Sequence, residues 1–202
     1  SVKPAVMFTK NIEEAGGNHW AVYHHKNTSA PETDYLKLSD TTATTDDAEM
    51  WADTEPTSAV FTGGDHSGSN RAGDDFVAYF WNEVQGFSKF GAYTGNGNAD
   101  GSFVNLGFKP AWLMVKPIDA SDNWVMFDNK RHDALNSSVS PYFFYANKDF
   151  AETTDTKLLD FVSNGFKVRS SGNTVNRTST FIGMAFAEQP FVNSSGVPCN
   201  AR

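Results

Sequence analysis

Apolar residues fall along this chain in short runs of three to six, and Gly, Asn, Asp, Ser and Thr fill the stretches between them. Up to residue 81 the runs are PAVMFT, WAVY, YLKL, AVFT and FVAYFW; from residue 110 onward they are PAWLMV, WVMF, YFFYA, LLDFV, FKV and FIGMAF. Runs this short, bounded by turn formers, predict strands and an all-β fold of the sandwich or jelly-roll kind. PAWLMV is apolar at every position after its proline, which predicts a strand covered on both faces. Residues 86–108, GFSKFGAYTGNGNADGSFVNLGF, set two aromatic-alternating segments around GNGNADG and predict a hairpin with a long Gly and Asn turn. Helix is expected only as one short turn between Asp46 and Trp51.

The runs repeat. KPAVMFTK at 3–10 returns as KPAWLMVK at 109–116, an offset of 106. HWAVYHHK at 19–26 matches NWVMFDNK at 123–130, and PTSAVFTGG at 56–64 matches VSNGFKVRS at 162–170 more loosely. DFVAYFWNE at 75–83 matches TFIGMAFAE at 180–188 with the offset reduced to 105. Self-similarity on this scale means duplication of a domain-sized unit, since solenoid repeats run about 20 to 50 residues. Two tandem, homologous β-sandwich units of jelly-roll or lectin-like type are therefore expected. The first, 1–85, has no leading hairpin and reads as a truncated copy; the second, 86–202, has the leading hairpin 86–108 and a polar tail at 190–202.

Composition narrows the function classes. The 202 residues hold one cysteine, Cys199 in that tail, so counting excludes a disulfide and a four-cysteine metal site. A net charge of −8 argues against a nucleic-acid partner, because sequence-independent binding needs a basic surface to displace counterions. No apolar run approaches the roughly 20 residues of a membrane helix, so no membrane insertion is expected, and SVKPAVMFTK lacks the layout of a signal peptide. No heptad segment is present to drive assembly, which leaves a homo-oligomer as an open possibility.

The candidate chemistry divides between sites and scaffold. His24 and His25 are neighbours on a predicted strand and point to opposite faces, and the second copy has Asp128 and Asn129 there, so hydrogen-bonding or surface histidines are expected and no metal. No cofactor is expected; calcium is the one candidate. The cluster DDAE at 46–49, the pair Asp74 and Asp75, and the alternating oxygens of Asn96, Asn98 and Asp100 could serve it, but calcium takes 6 to 8 oxygens and no bidentate glutamate stands at a matching place. Turn formation, in which Asn, Asp and Gly accept positive φ, is the competing role. Glu83 and Glu188 close equivalent runs and raise the question of a paired-carboxylate glycosidase; equivalent positions in separate copies are expected to lie far apart, which favours solvated strand ends. No GxSxG, HExxH or P-loop pattern is present. Trp20, Trp112 and Trp124 lie in apolar runs and read as core. Trp51 lies in an acidic segment, where its indole could stack on a sugar or plug the end of a sandwich, and burial worth about 2 kcal/mol favours the plug. The binding candidates are thus Trp51, Asn96, Asn98 and Asp100.

One resemblance covers essentially the whole chain. The ordered series GFSKFGAYTGNGNADGSFVNLGFKPAWLMVK, NWVMFDNKR, DFVSNGFKVRSS and FIGMAFAEQPF resembles the repeated C-terminal domain of bacteriophage virion proteins, those of marine phages above all. NHWAVYHHK, EMWADTEPTSAVFTGG and FVAYFWNEVQGFSKFG are similar to the unit that precedes it there, and FVNSSGVPCNAR looks like the ending of such chains. The resemblance implies a non-enzymatic structural protein at the virion surface, in a tail fibre or appendage. Its partners would be other virion proteins and a bacterial surface glycan or receptor used for host attachment. It carries over no catalytic residue. The alternatives are an architectural capsid-decoration or fibre-joint protein and, more distantly, a polysaccharide-degrading enzyme.

Overall fold

Strands form where the apolar runs place them. The computed structural model describes residues 2–13, 19–131, 142–153 and 158–189, so the tail 190–202 and Cys199 lie outside the described residues. The chain divides into two compact units, 1–82 and 83–202. Thirteen acidic and five basic residues fall in the first, eleven and eleven in the second, so the whole formal charge of −8 rides on the first unit.

The first unit contains β1 (Val6–Asn11), β2 (Ala21–His24), β3 (Asp34–Lys37), β4 (Thr45–Asp46), α1 (Ala48–Trp51) and β5 (Phe76–Trp81). Its strands make one antiparallel sheet in the order β4-β3-β2-β1-β5. Side chains alternate across a strand, so Met7, Ala21, Tyr23 and Tyr35 share one face, and there they meet Met50 and Trp51 of α1. The short helix is the turn expected between Asp46 and Trp51. Asp47 caps it by accepting a hydrogen bond from the Glu49 N–H, and Ala52 ends it in a left-handed conformation, φ 52°. The run AVFT at 59–62 forms no strand, and Val60 and Phe61 are exposed. Among the described residues the first unit has no second sheet for that run to join; α1 occupies the covered face in its place.

The second unit contains β6 (Ser88–Thr94), β7 (Phe103–Asn105), β8 (Pro110–Pro117), β9 (Val125–Asp128), β10 (Phe143–Tyr145), β11 (Leu159–Val162), β12 (Gly165–Val168), α2 (Asn173–Asn176) and β13 (Thr180–Ala187). Two antiparallel sheets result, ordered β10-β9-β8-β13-β6 and β11-β12-β7. Leu113, Val115, Val125, Phe127 and Phe143 of the larger sheet share one hydrophobic cluster with Phe161, Phe166 and Val168 of the smaller. Leu113, Met114 and Val115 are consecutive and all buried, so this part of PAWLMV is covered on both faces, while Ala111 and Trp112 are only half-buried. Gly165 is fixed by space: a Cβ there would sit 1.9 Å from the Val104 carbonyl oxygen, where β12 and β7 pair.

The repeat is visible as register. In the first unit Met7 lies between Tyr23 and Phe80; in the second Leu113 lies between Phe127 and Ala185, the same positions at offsets of 106, 104 and 105. The order β3-β2-β1-β5 thus recurs as β10-β9-β8-β13. One expectation is corrected. Residues 86–108 do not form a hairpin, because β6 pairs with β13 and β7 pairs with β12, in different sheets. The GNGNADG stretch is the crossing between the two sheets.

Candidate functional site

The crossing loop brings Asn96, Asn98 and Asp100 together as a ladder of local hydrogen bonds. The Asn98 N–H donates to Asn96 Oδ1 at 3.0 Å, and the Asp100 N–H donates to Asn98 Oδ1 at 3.0 Å. Side chains that bond the backbone two residues on are the mechanism by which Asn and Asp stabilise turns. A buried side chain from α2 fastens the ladder. Asn176 Nδ2 donates to Asn96 Oδ1 at 3.0 Å, to the Asn98 carbonyl at 2.7 Å and to the Ser170 carbonyl at 2.7 Å, while its Oδ1 accepts from the Asn96 N–H at 2.9 Å. Asp100 points to Lys167 at 2.7 Å, and the hydrogen-bonded ammonium holds its carboxyl below the usual carboxylate range. The oxygens that calcium would need therefore already accept hydrogen bonds or pair with a lysine. Among the described residues no group of three or more His, Cys, Asp or Glu stands close enough to hold a metal ion.

Trp51 is remote from this loop in sequence and belongs to the first unit. Its indole is 1% exposed, donates from Nε1 to the Asp34 carbonyl at 3.1 Å, and meets the Tyr23 ring edge-on at 6.1 Å. A ring held this way plugs the core and offers no face to a sugar, so Trp51 is withdrawn as a binding residue. His24 is likewise buried, with Nδ1 accepting from the Lys26 N–H at 3.1 Å.

Glu83 and Glu188 are equivalent positions of the two copies, and both belong to the second compact unit. Each is held by a lysine and by one N–H donor. Glu83 pairs with Lys89 at 2.9 Å and accepts from the Phe90 N–H at 3.0 Å; Glu188 pairs with Lys109 at 2.8 Å and accepts from Asn129 Nδ2 at 2.8 Å.

Two concavities were not legible in the sequence. A cleft of about 520 Å³ in the second unit is lined by Glu83, Gln85, Ser88, Lys89 and Asn105. Its volume falls within the range of small-molecule sites, and carboxylate, ammonium and amide groups converge on it. A groove of about 290 Å³ in the first unit is lined by Val60, Phe61, Phe80 and Trp81 beside β5, with the Phe61 and Phe80 rings 4.9 Å apart. The sequence does carry one signal for the groove, namely AVFT, an apolar run with no strand to make.

No curated protein and no solved structure matches the chain. One family does, through a sequence model that spans residues 1–190 and so covers both copies of the repeated sheet: the chain belongs to the DUF7483 family, a domain of unknown function.

Proposed function

We propose that this chain is a non-enzymatic structural module of a bacteriophage virion, displayed at the particle surface in a tail fibre or appendage and used for attachment to the bacterial surface, with glycan as the receptor class. The observation that carries this reading is the unequal treatment of packing and chemistry in the two copies. Sheet order and register are kept, while His24 and His25 become Asp128 and Asn129 and the net charge moves wholly to one copy. A scaffold that keeps its core and varies its surface suits display, and the ordered motifs resemble those of phage virion proteins over the whole chain. The polar cleft at Glu83, Gln85, Lys89 and Asn105 supplies the donors and acceptors that sugar hydroxyls take. Whole-cell and glycan-array binding with the isolated chain tests the proposal. Binding that weakens in a Gln85→Ala, Asn105→Ala double variant of unchanged melting temperature supports it, and no binding to any host cell counts against it.

A specific observation favours a second reading, an architectural joint or capsid decoration. Among the described residues β5 is an edge strand of its sheet, and an edge strand suits assembly with a neighbouring virion protein. Density for the chain on the intact virion separates the two, since contact with virion proteins on every side removes the attachment role.

A further inference from the structure

The cleft of about 520 Å³ in the second unit carries no net charge. Its two charged side chains, Glu83 and Lys89, pair at 2.9 Å, and Gln85, Asn105 and Leu106 on its walls are uncharged. The unit around it balances eleven acidic residues against eleven basic ones. An anionic ligand meets Glu83 there and a cationic one meets Lys89, so the site favours a ligand without charge.

The hydrogen-bonding groups left over are mostly donors. Asn105 Oδ1 accepts from the Gly107 N–H at 3.0 Å, and that bond fixes which end of the carboxamide is which. The other end, Nδ2, has two N–H groups and no partner among the described residues. Lys89 has three N–H groups and gives one to Glu83 Oε2, while Glu83 Oε1 accepts from the Phe90 N–H. Gln85 is exposed, and its carboxamide, also without a partner among the described residues, can both donate and accept. A ligand matched to this set offers more acceptors than donors. Hydroxyls alone do not, because each brings a donor with its oxygen; an amide oxygen does, with two lone pairs and no proton. The walls add an apolar demand. Leu106 is half-buried and Phe108 is 2% exposed, and both line the cleft. Gly107 stands between them at φ 78°, with no atom within 4 Å of where a Cβ would lie, so this wall is bare backbone that a ligand can approach closely. A carbonyl with a methyl beside it meets both demands.

We infer that the cleft takes a neutral N-acetylated sugar and that the acetamido group is what it recognises. The acetamido oxygen accepts from Asn105 Nδ2, its N–H donates to Gln85 Oε1, its methyl lies on Leu106, and ring hydroxyls face the Glu83 and Lys89 pair. The inference rests on the attachment reading and narrows its receptor from glycan in general to glycan that displays an N-acetylhexosamine.

The test titrates the nitrogen-15-labelled 202-residue protein with methyl glycosides of the gluco and galacto series: the N-acetylhexosaminide, the hexoside, the hexosaminide with its free amine, and the uronide. The expected result is that an N-acetylhexosaminide shifts the side-chain amide signals of Asn105 and Gln85 and binds about tenfold more tightly than the other three of its series, the effect of one added hydrogen bond. Asn105→Asp keeps the oxygen that serves the Gly107 N–H and replaces the free N–H groups with a second oxygen, so it removes that preference and leaves the melting temperature unchanged. Equal binding of the N-acetylhexosaminide and the hexoside overturns the inference. So does tighter binding of the amine or the uronide, or an Asn105→Asp protein that keeps the preference. If cells or arrayed glycans bind the chain with no preference for the acetamido group, the inference falls and the attachment reading stands; if no cell and no sugar binds, both fall.

Discussion

Replacing Asn176 with alanine removes the one side chain that ties the crossing loop to α2. The carboxamide is fully buried and reaches four partners: Asn96 twice, the Asn98 carbonyl and the Ser170 carbonyl. Two N–H groups shared over three acceptors, plus one accepting oxygen, amount to about three full hydrogen bonds at roughly 1 kcal/mol each, so the loss is about 3 kcal/mol. For a unit of this size that lowers the melting temperature by roughly 10 °C. Thermal unfolding followed by circular dichroism measures the drop, and faster hydrogen exchange at the Asn96 and Gly97 amides places it in the loop. Asn176→Asp keeps the accepting oxygen but turns a second oxygen toward two carbonyls, so it destabilises at least as much. Asn98→Ala gives up only the bond to the Asp100 N–H on an exposed loop and costs under about 1 kcal/mol. An Asn176→Ala protein that melts within about 2 °C of the parent refutes the ladder. So does a calcium-dependent rise in melting temperature that Asn96→Ala abolishes, since bound ligand stabilises by mass action and would show those oxygens to be free.

Gly165→Ala drives a Cβ into the Val104 carbonyl and should cost about 2 kcal/mol or more, read as a lower urea midpoint with the pairing of β7 and β12 lost from hydrogen exchange. Tyr23→Phe should leave stability unchanged or raise it by about 1 kcal/mol, because the buried hydroxyl has no hydrogen-bond partner among the described residues and burial pushes its ionisation upward; a fall in melting temperature would reveal a hidden partner. Partial burial works to raise the Asp128 carboxyl, but the N–H groups of Lys130 and Arg131 and the Arg131 guanidinium outweigh it and hold it below its ordinary value. A depressed carboxyl adds stability that is present above about pH 4 and is lost as pH falls through the folded value, so Asp128→Asn should flatten the acid limb of stability against pH in urea titrations below pH 5.

How far the fold was legible depended on what kind of pattern carried it. Strand positions follow from apolar runs, which are local, and sheet order follows from the repeat, because a duplicated run must find duplicated neighbours. Partner choice is not local. β6 and β7 both alternate as strands on either side of a turn-rich loop, and nothing in GNGNADG distinguishes a hairpin turn from a crossing between sheets; that distinction lies in Asn176, eighty residues from Asn96. Trp51 misled for a different reason. Its neighbours Asp47, Glu49 and Asp53 are charged, yet one helical turn lets Met50 and Trp51 enter the core while those acids stay at the surface. The polar cleft was invisible because Glu83 comes from the approach to β6, Lys89 from β6 itself and Asn105 from β7. AVFT failed as a strand since a run predicts burial only when a sheet exists to receive it.

The boundary between the units coincides with a difference in how the two copies pair their charges. In the second unit Lys109, just before β8, binds Glu188, just after β13, and the Glu188 N–H donates to the Lys109 carbonyl at 2.9 Å, so the pair closes the strand ends. The equivalents in the first copy are Lys3 and Glu83. Lys3 pairs with Glu55 instead, and Glu83 binds Lys89 and the Phe90 N–H at the start of β6. Glu83 has thus become part of the second unit, and the division falls at 82/83, three residues before the glycine at which the sequence pattern changes. A double-mutant cycle on Lys109 and Glu188 measures what the closing pair contributes. Both side chains keep over a quarter of their surface in water, so the coupling should be about 0.5 to 1 kcal/mol, reduced by added salt. The same cycle on Lys89 and Glu83 should give a similar value, because the separation and exposure are alike. A coupling at Lys89 and Glu83 indistinguishable from zero would mean that the ion pair contributes nothing to holding Glu83 beside β6.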